Sequence, residues 1–152
     1  MKSCIISSLI LSLYSVFFLV GCGTLPKHKQ PHITSYFGEA AEALVKSLQE
    51  SGVLDKADNK PARLRVVTPV NNTSEHFDPS LLTIKIRVAL NQSGKAVTLL
   101  NPAEEVDYTL SGKIISTYSR DRKSRQRTFT FQLALTDSRG TAVWEGEKEV
   151  TQ

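Results

Sequence analysis

Three groups of residues in this chain have side chains and spacings that could do chemistry. The first is Thr73-Ser74-Glu75-His76-Phe77-Asp78, where an imidazole follows one carboxylate directly and precedes another by two positions. A histidine oriented by a carboxylate is a common general base, but it needs a nucleophile, a second acid or a metal to work on. The chain offers none at a recognisable spacing. No catalytic residue is therefore assigned, and the loop is read as local hydrogen bonding with Asp78 capping a helix that opens at Pro79. The second group is His28 and His32, whose spacing of four suits a metal on a helix face. Pro31 lies between them, so they are read as part of a flexible tether, with no metal and no other cofactor. The third is the run Arg120 to Arg127, in which Arg120, Arg122, Lys123, Arg125 and Arg127 face one acid, Asp121. Such a run is either a solvated hairpin tip or a binding surface. As a surface it would meet an acidic patch on a partner protein, or anionic glycan and lipid head groups, through the planar guanidinium fork.

Cysteine chemistry comes next, because the chain has only Cys4 and Cys22. Cys22 closes an apolar stretch that begins at Cys4, follows the positive charge of Lys2 and ends in Leu19-Val20-Gly21. About 17 residues is the lower limit for a membrane span. Four serines within this stretch and Ser3 just before it dilute its hydrophobicity, and no basic cluster follows at once to stop transfer. The pattern is an export signal, and Leu19-Val20-Gly21-Cys22 resembles the lipobox of bacterial lipoproteins, cleaved before a cysteine that carries a diacylglyceryl group. A plain cleaved signal and a membrane span are the alternatives. On the lipoprotein reading, residues 1–21 are the signal and 22–33 are the lipidated cysteine and a short tether. Residues 34–152 are then the globular domain, and no thiol remains for a disulfide. The residue after the cysteine is Gly23 rather than aspartate, which points to the outer membrane, facing the periplasm. From Gly23 the tether has about ten residues, roughly 35 Å when fully extended.

Taking 21 residues from a chain of 152 leaves 131, enough for one small domain. The whole chain carries 19 basic and 15 acidic side chains, and loss of Lys2 makes that 18 against 15. This mild excess gives no reason to expect a nucleic-acid partner.

The elements that must position these groups follow from periodicity. A helix is expected from about Ser35 to Ser51, with Phe37, Ala41, Leu44, Val45 and Leu48 on one face and Gly52 as its stop. Arg63 to Val70 reads as a strand. A second helix runs from Pro79 to about Gln92, ended by Ser93-Gly94. Leu82, Ile86, Ala89 and Leu90 form its stripe, and Leu81, Ile84 and Val88 widen the stripe into a broad apolar face expected against a sheet. Ala96 to Leu100, Tyr108 to Ser119, Thr128 to Asp137 and Ala142 to Val150 read as strands, with Asp137-Ser-Arg-Gly140 as a hairpin turn. The expected order α-β-α-β-β-β-β is an α+β fold, a small, mostly antiparallel sheet packed with helices. The face of the central strand carrying Thr128, Thr130 and Gln132 is a second candidate contact surface.

Three segments carry a family resemblance: "TSEHFDPSLLTIKIRVALNQSGK", "VDYTLSGKI" and "FTFQLALTDSRGTAVWEGEKEV". Over residues 35 to 152 the chain resembles the LpoB family of outer-membrane lipoproteins. The resemblance implies a non-catalytic, monomeric partner of a bifunctional, class 1B penicillin-binding protein. It implies docking on a small regulatory domain of that synthase, with stimulation of glycan polymerisation and peptide cross-linking. Related folds occur in the curli secretion component and in a translocation protein of the Tol system. A structural lipoprotein of an envelope secretion complex, assembling into rings, is therefore the alternative. Enteric members of the family have a long proline-rich tether where this chain has about ten residues. The family's helix in the connection before the Asp-Tyr strand is replaced here by Asn101 to Val106.

Overall fold

The computed structural model describes residues 33–121 and 124–151. The expected signal segment, Cys22, His28 and His32 lie outside the described residues. The first helix, α1 (Ile33–Glu50), places Phe37, Ala40, Ala41, Leu44, Val45 and Leu48 at helical spacing, and all six are buried. It ends where the Ser51 hydroxyl donates to the Leu48 carbonyl at 2.7 Å. Gly52 then takes φ +77°, a conformation glycine adopts without steric cost. The second helix, α2 (Pro79–Gln92), starts as expected: the Asp78 carboxylate accepts from the Ser80 N–H at 2.9 Å, with Pro79 at the first position.

The strands are β1 (Ala62–Val66), β2 (Val70–Asn72), β3 (Ala96–Thr98), β4 (Tyr108–Asp121), β5 (Ser124–Asp137) and β6 (Ala142–Thr151). They form one sheet in the order β3-β1-β4-β5-β6, with β2 following β1 along the same edge of β4. The β4–β5 and β5–β6 ladders are antiparallel and long. The pairings β1–β3, β1–β4 and β2–β4 are parallel and cover three residues each. The sheet is thus mostly antiparallel by length, with a short parallel edge. The single strand expected over Arg63 to Val70 is two strands, interrupted before Val70 by Pro69, which has no N–H to give a ladder.

Both helices pack on one face of the sheet. Phe129, Phe131, Leu133 and Leu135 of β5 form the centre of the core, joined by Leu110 and Ile114 of β4, Leu64 and Val66 of β1, and the buried side of each helix. Phe37 of α1 meets the Phe129 ring edge-on at 5.6 Å. Gly146 of β6 sits opposite Leu133, and a Cβ there would lie 2.6 Å from the Trp144 ring and 3.2 Å from Leu44. Its missing side chain lets the indole lie along the strand while α1 approaches.

Two further expectations change. The broad apolar face of α2 is divided: Leu82, Ile86 and Leu90 are buried against the sheet, whereas Leu81, Ile84 and Val88 are exposed. The basic run is strand at its flanks, because β4 continues to Asp121 and β5 begins at Ser124. Backbone pairing of a hairpin extends through residues whose side chains give no alternating apolar signal.

Candidate functional site

The loop between β2 and α2 is held by its own side chains. The Asn71 carboxamide oxygen accepts from the Thr73 N–H at 3.0 Å and hydroxyl at 2.7 Å, while its Nδ2 donates to the Glu75 carbonyl at 2.8 Å. The Thr73 hydroxyl oxygen accepts in turn from the Glu75 N–H at 3.1 Å. These are Asx-type and ST-type turns, which fix a loop without a regular ladder. The loop is then tied to β5, where Arg127 donates Nη1 to the Glu75 carboxylate and Nη2 to the Ser74 hydroxyl. The same guanidinium stands 5.0 Å over the Phe129 ring.

This arrangement decides the first candidate. Both carboxylates that could orient His76 are used elsewhere: Glu75 holds Arg127, and Asp78 caps α2. The Ser80 N–H holds the Asp78 carboxyl below its ordinary pKa, which is the signature of a cap. His76 itself is exposed. Among the described residues, no group of three His, Cys, Asp or Glu side chains is placed to hold a metal.

The third candidate is brought together in part. The β4–β5 register sets Tyr118 opposite Arg127, Arg120 opposite Arg125 and Asp121 opposite Ser124. The β6 partner of β5 stops at Thr128, and the β2 partner of β4 stops at Ile115. Among the described residues, 118–121 and 124–127 therefore pair only with each other, as a two-stranded ribbon, and Arg122 and Lys123 lie outside the described residues. Arg127 is engaged at the ribbon's base. The signal that could have separated it is absent from the sequence, because Glu75 lies 52 residues away.

Among the described residues no helix covers the opposite face of the sheet. Thr128, Thr130 and Gln132 stand there, half-buried, as a flat polar surface. A basin of about 790 Å³ lies over it, lined by Val70, Asn72, Lys113, Gln132, Glu145 and Glu147. Gln132 donates to Glu147 across it at 3.1 Å. Glu145, Glu147 and Glu149 alternate along the outward side of β6. This edge resists pairing with a copy of itself, since an added strand would bring like charges into register.

The polar side chains of these loops and strands cap a helix, fix turns and tie strands, and the remaining character is surface of two signs around an ordinary core. That is the make-up of a small α+β domain. The sequence matches the family model described as peptidoglycan-synthase activator LpoB over residues 36–107 and 102–150, and the chain belongs to that family. The family is one of regulatory activators and not of enzymes. The two matched segments overlap at 102–107.

Among solved structures, the LpoB C-terminal domain from Salmonella enterica superposes with a TM-score of 0.52 at 19% identity, covering 76% of this chain and 98% of that one. The Escherichia coli LpoB C-terminal domain gives 0.52 at 17% identity, with the same coverage. These similarities establish the shared fold. No curated protein sequence matches the chain.

Proposed function

We propose that this chain is a lipid-anchored regulator that binds a peptidoglycan synthase of the class 1B penicillin-binding type and stimulates it by contact. The observation that carries this reading is membership of the activator family across residues 36–150. In it, Cys22 takes the lipid, the chain sits on the outer membrane facing the periplasm, and the domain acts as a monomer. It has no chemistry of its own; it favours the active conformation of its partner by binding that conformation more tightly.

The partner contact we assign to the ribbon, residues Arg120, Arg122, Lys123, Arg125 and Arg127. Arg120 and Arg125 occupy directly opposed positions. A run of basic residues on opposed strands would suit an acidic surface on the synthase. Arg127, shared with Glu75, orients the base of the ribbon.

The test is glycan-chain polymerisation by the same organism's class 1B synthase, with and without residues 33–152, alongside a pull-down. Stimulation is expected, with loss of most of it in Arg120→Ala/Arg125→Ala and a smaller loss in Arg127→Ala. Absence of both binding and stimulation would move the function to another envelope partner. Undiminished stimulation by the double variant would move the contact off the ribbon. Separately, Cys22→Ala is expected to release the chain from the membrane fraction.

A further inference from the structure

The two edges of the sheet are built differently. On one side the sheet ends in β3, whose three residues offer little for another strand to pair with. On the other side β6 runs for ten residues, Ala142–Thr151, with no proline to interrupt it. Its inner edge pairs with β5, and among the described residues no strand pairs with its outer edge. In an antiparallel strand paired on one side only, every second residue directs its N–H and C=O away from the partner. Along β6 these groups are a row of donors and acceptors set for one more strand.

The side chains of β6 select what that strand can be. On the open face of the sheet Glu145, Glu147 and Glu149 are exposed, in register with Ala134, Gln132 and Thr130 of β5. Among the described residues none of the three carboxylates forms an ion pair. The cation in the same row, Lys113 of β4, is separated from Glu147 by Gln132, which donates to that glutamate. On the helix side, Trp144, Gly146 and Lys148 alternate with the glutamates. Trp144 packs against the core but is only half-buried, and Lys148 is exposed. A tryptophan left partly uncovered at a strand edge is an anchor that a partner can finish covering. A second copy of β6 would set glutamate against glutamate. A strand with basic side chains at alternate positions would instead form a favourable cross-strand pair at each of them.

We propose that the outer edge of β6 is a docking site for an extended segment of a partner protein, which adds to the sheet as a further strand. Its basic side chains, at alternate positions, face Glu145, Glu147 and Glu149, and an apolar side chain on its other face covers Trp144. The backbone supplies the attachment and the glutamates supply the choice of partner. The site is separate from the ribbon, because the β5–β6 ladder stops at Thr128, so it does not depend on the synthase contact assigned above.

Residues 33–152 contain the whole described core, Phe37 to Val150, and the chain's one tryptophan, Trp144. The fluorescence of this domain therefore reports directly on the edge. The probe is a short synthetic peptide that alternates lysine with valine. It is expected to shift the Trp144 emission to the blue in a saturable titration and to slow amide exchange in β6 while leaving α2 unchanged. Glu145→Gln/Glu147→Gln/Glu149→Gln should weaken the binding about tenfold, with an unchanged circular dichroism spectrum. The same peptide with its backbone nitrogens methylated keeps its charge but has no N–H to donate, and it should not bind. Equal binding of the methylated peptide would mean that charge alone is at work and would overturn strand addition. Equal binding of a peptide that alternates glutamate with valine would overturn the selection by charge. The proposal also fails if the lysine peptide leaves both Trp144 and the β6 amides unchanged, or if rising protein concentration alone gives the blue shift, which would make the edge a contact between copies.

Discussion

Strands β4, β5 and β6 are joined by antiparallel ladders of fourteen and nine registered pairs, whereas β1, β2 and β3 attach through parallel registers of three residues each. The first region is closed by a local turn. The Asp137 N–H donates to the Thr141 carbonyl at 2.9 Å, the Gly140 N–H donates to the Asp137 carbonyl at 3.0 Å, and Gly140 takes φ +81°. The second must bring together segments distant in sequence, and side chains fix what so few backbone bonds leave loose. Asp107 accepts from the Arg63 N–H at 2.7 Å and from Lys56 at 2.9 Å. Asn91 of α2 accepts from the Thr98 N–H at 2.9 Å and donates to the Thr98 hydroxyl at 3.0 Å. Arg65 reaches the carbonyls of Pro102 and Glu104 at 2.9 and 3.0 Å. Where a ladder is long, the backbone specifies the register; where it is short, individual polar side chains do.

The comparison breaks most visibly at Phe131. Truncation by Phe131→Ala removes a fully buried ring from the long-ladder region and is expected to cost about 3–5 kcal/mol by denaturant titration, with both regions unfolding together. Asp107→Ala should cost less, about 1–2 kcal/mol, because the carboxylate is partly solvated. Its effect is expected to be local, with amide exchange rising in β1 and β3 before β5. An equal rise in β5 would refute the division into two regions. Asn91→Ala should follow at about 1 kcal/mol, confined to β3. Gln132→Ala, next to Phe131 but on the outward face, should stay within about 0.5 kcal/mol.

A pH titration sharpens the same contrast. Burial works to raise the Asp107 pKa, but the Arg63 N–H and the Lys56 ammonium outweigh it and hold it below the ordinary 3.8. The N–H of Thr141 lowers Asp137, and that of Ser80 lowers Asp78. For a lowered carboxyl, the stabilisation is complete above the ordinary value and disappears as pH falls through the folded one. Lys56 is raised above 10.5 by its hydrogen bond to Asp107, so its share is complete below 10.5 and is lost at higher pH. Stability from these groups is therefore expected to be level from about pH 5 to pH 9 and to fall on both sides. Asp107→Asn should flatten the acid limb, and an unchanged limb would remove Asp107 from this account.

The long-ladder region was legible in the sequence because Phe129, Phe131, Leu133 and Leu135 alternate with Thr130, Gln132, Ala134 and Thr136, and because a glycine closes the turn at residue 140. Both helices were legible from period and caps. β2 was not, since three residues after a proline give no period. The strand character of Ser124 to Arg127 was hidden by charge. The candidate site was readable only in part: the basic run is visible in the letters, but the tie of Arg127 to Glu75 is not. Leu81, Ile84 and Val88 announce an apolar helix, and nothing local says that they miss the core.

The sequence by itself determined the elements whose cause lies within a turn or a strand: the caps at Asp78 and Gly52, the β5–β6 hairpin, and the split of α1 into buried and polar faces. Only the tertiary structure decided which of the two apolar sides of α2 meets the sheet, and which acid neutralises Arg127. It also set the parallel registers that Asp107 and Asn91 secure. The reason is physical: periodicity and capping are encoded over a few residues, whereas pairing across 44 or 52 positions is fixed only when the whole core closes around it.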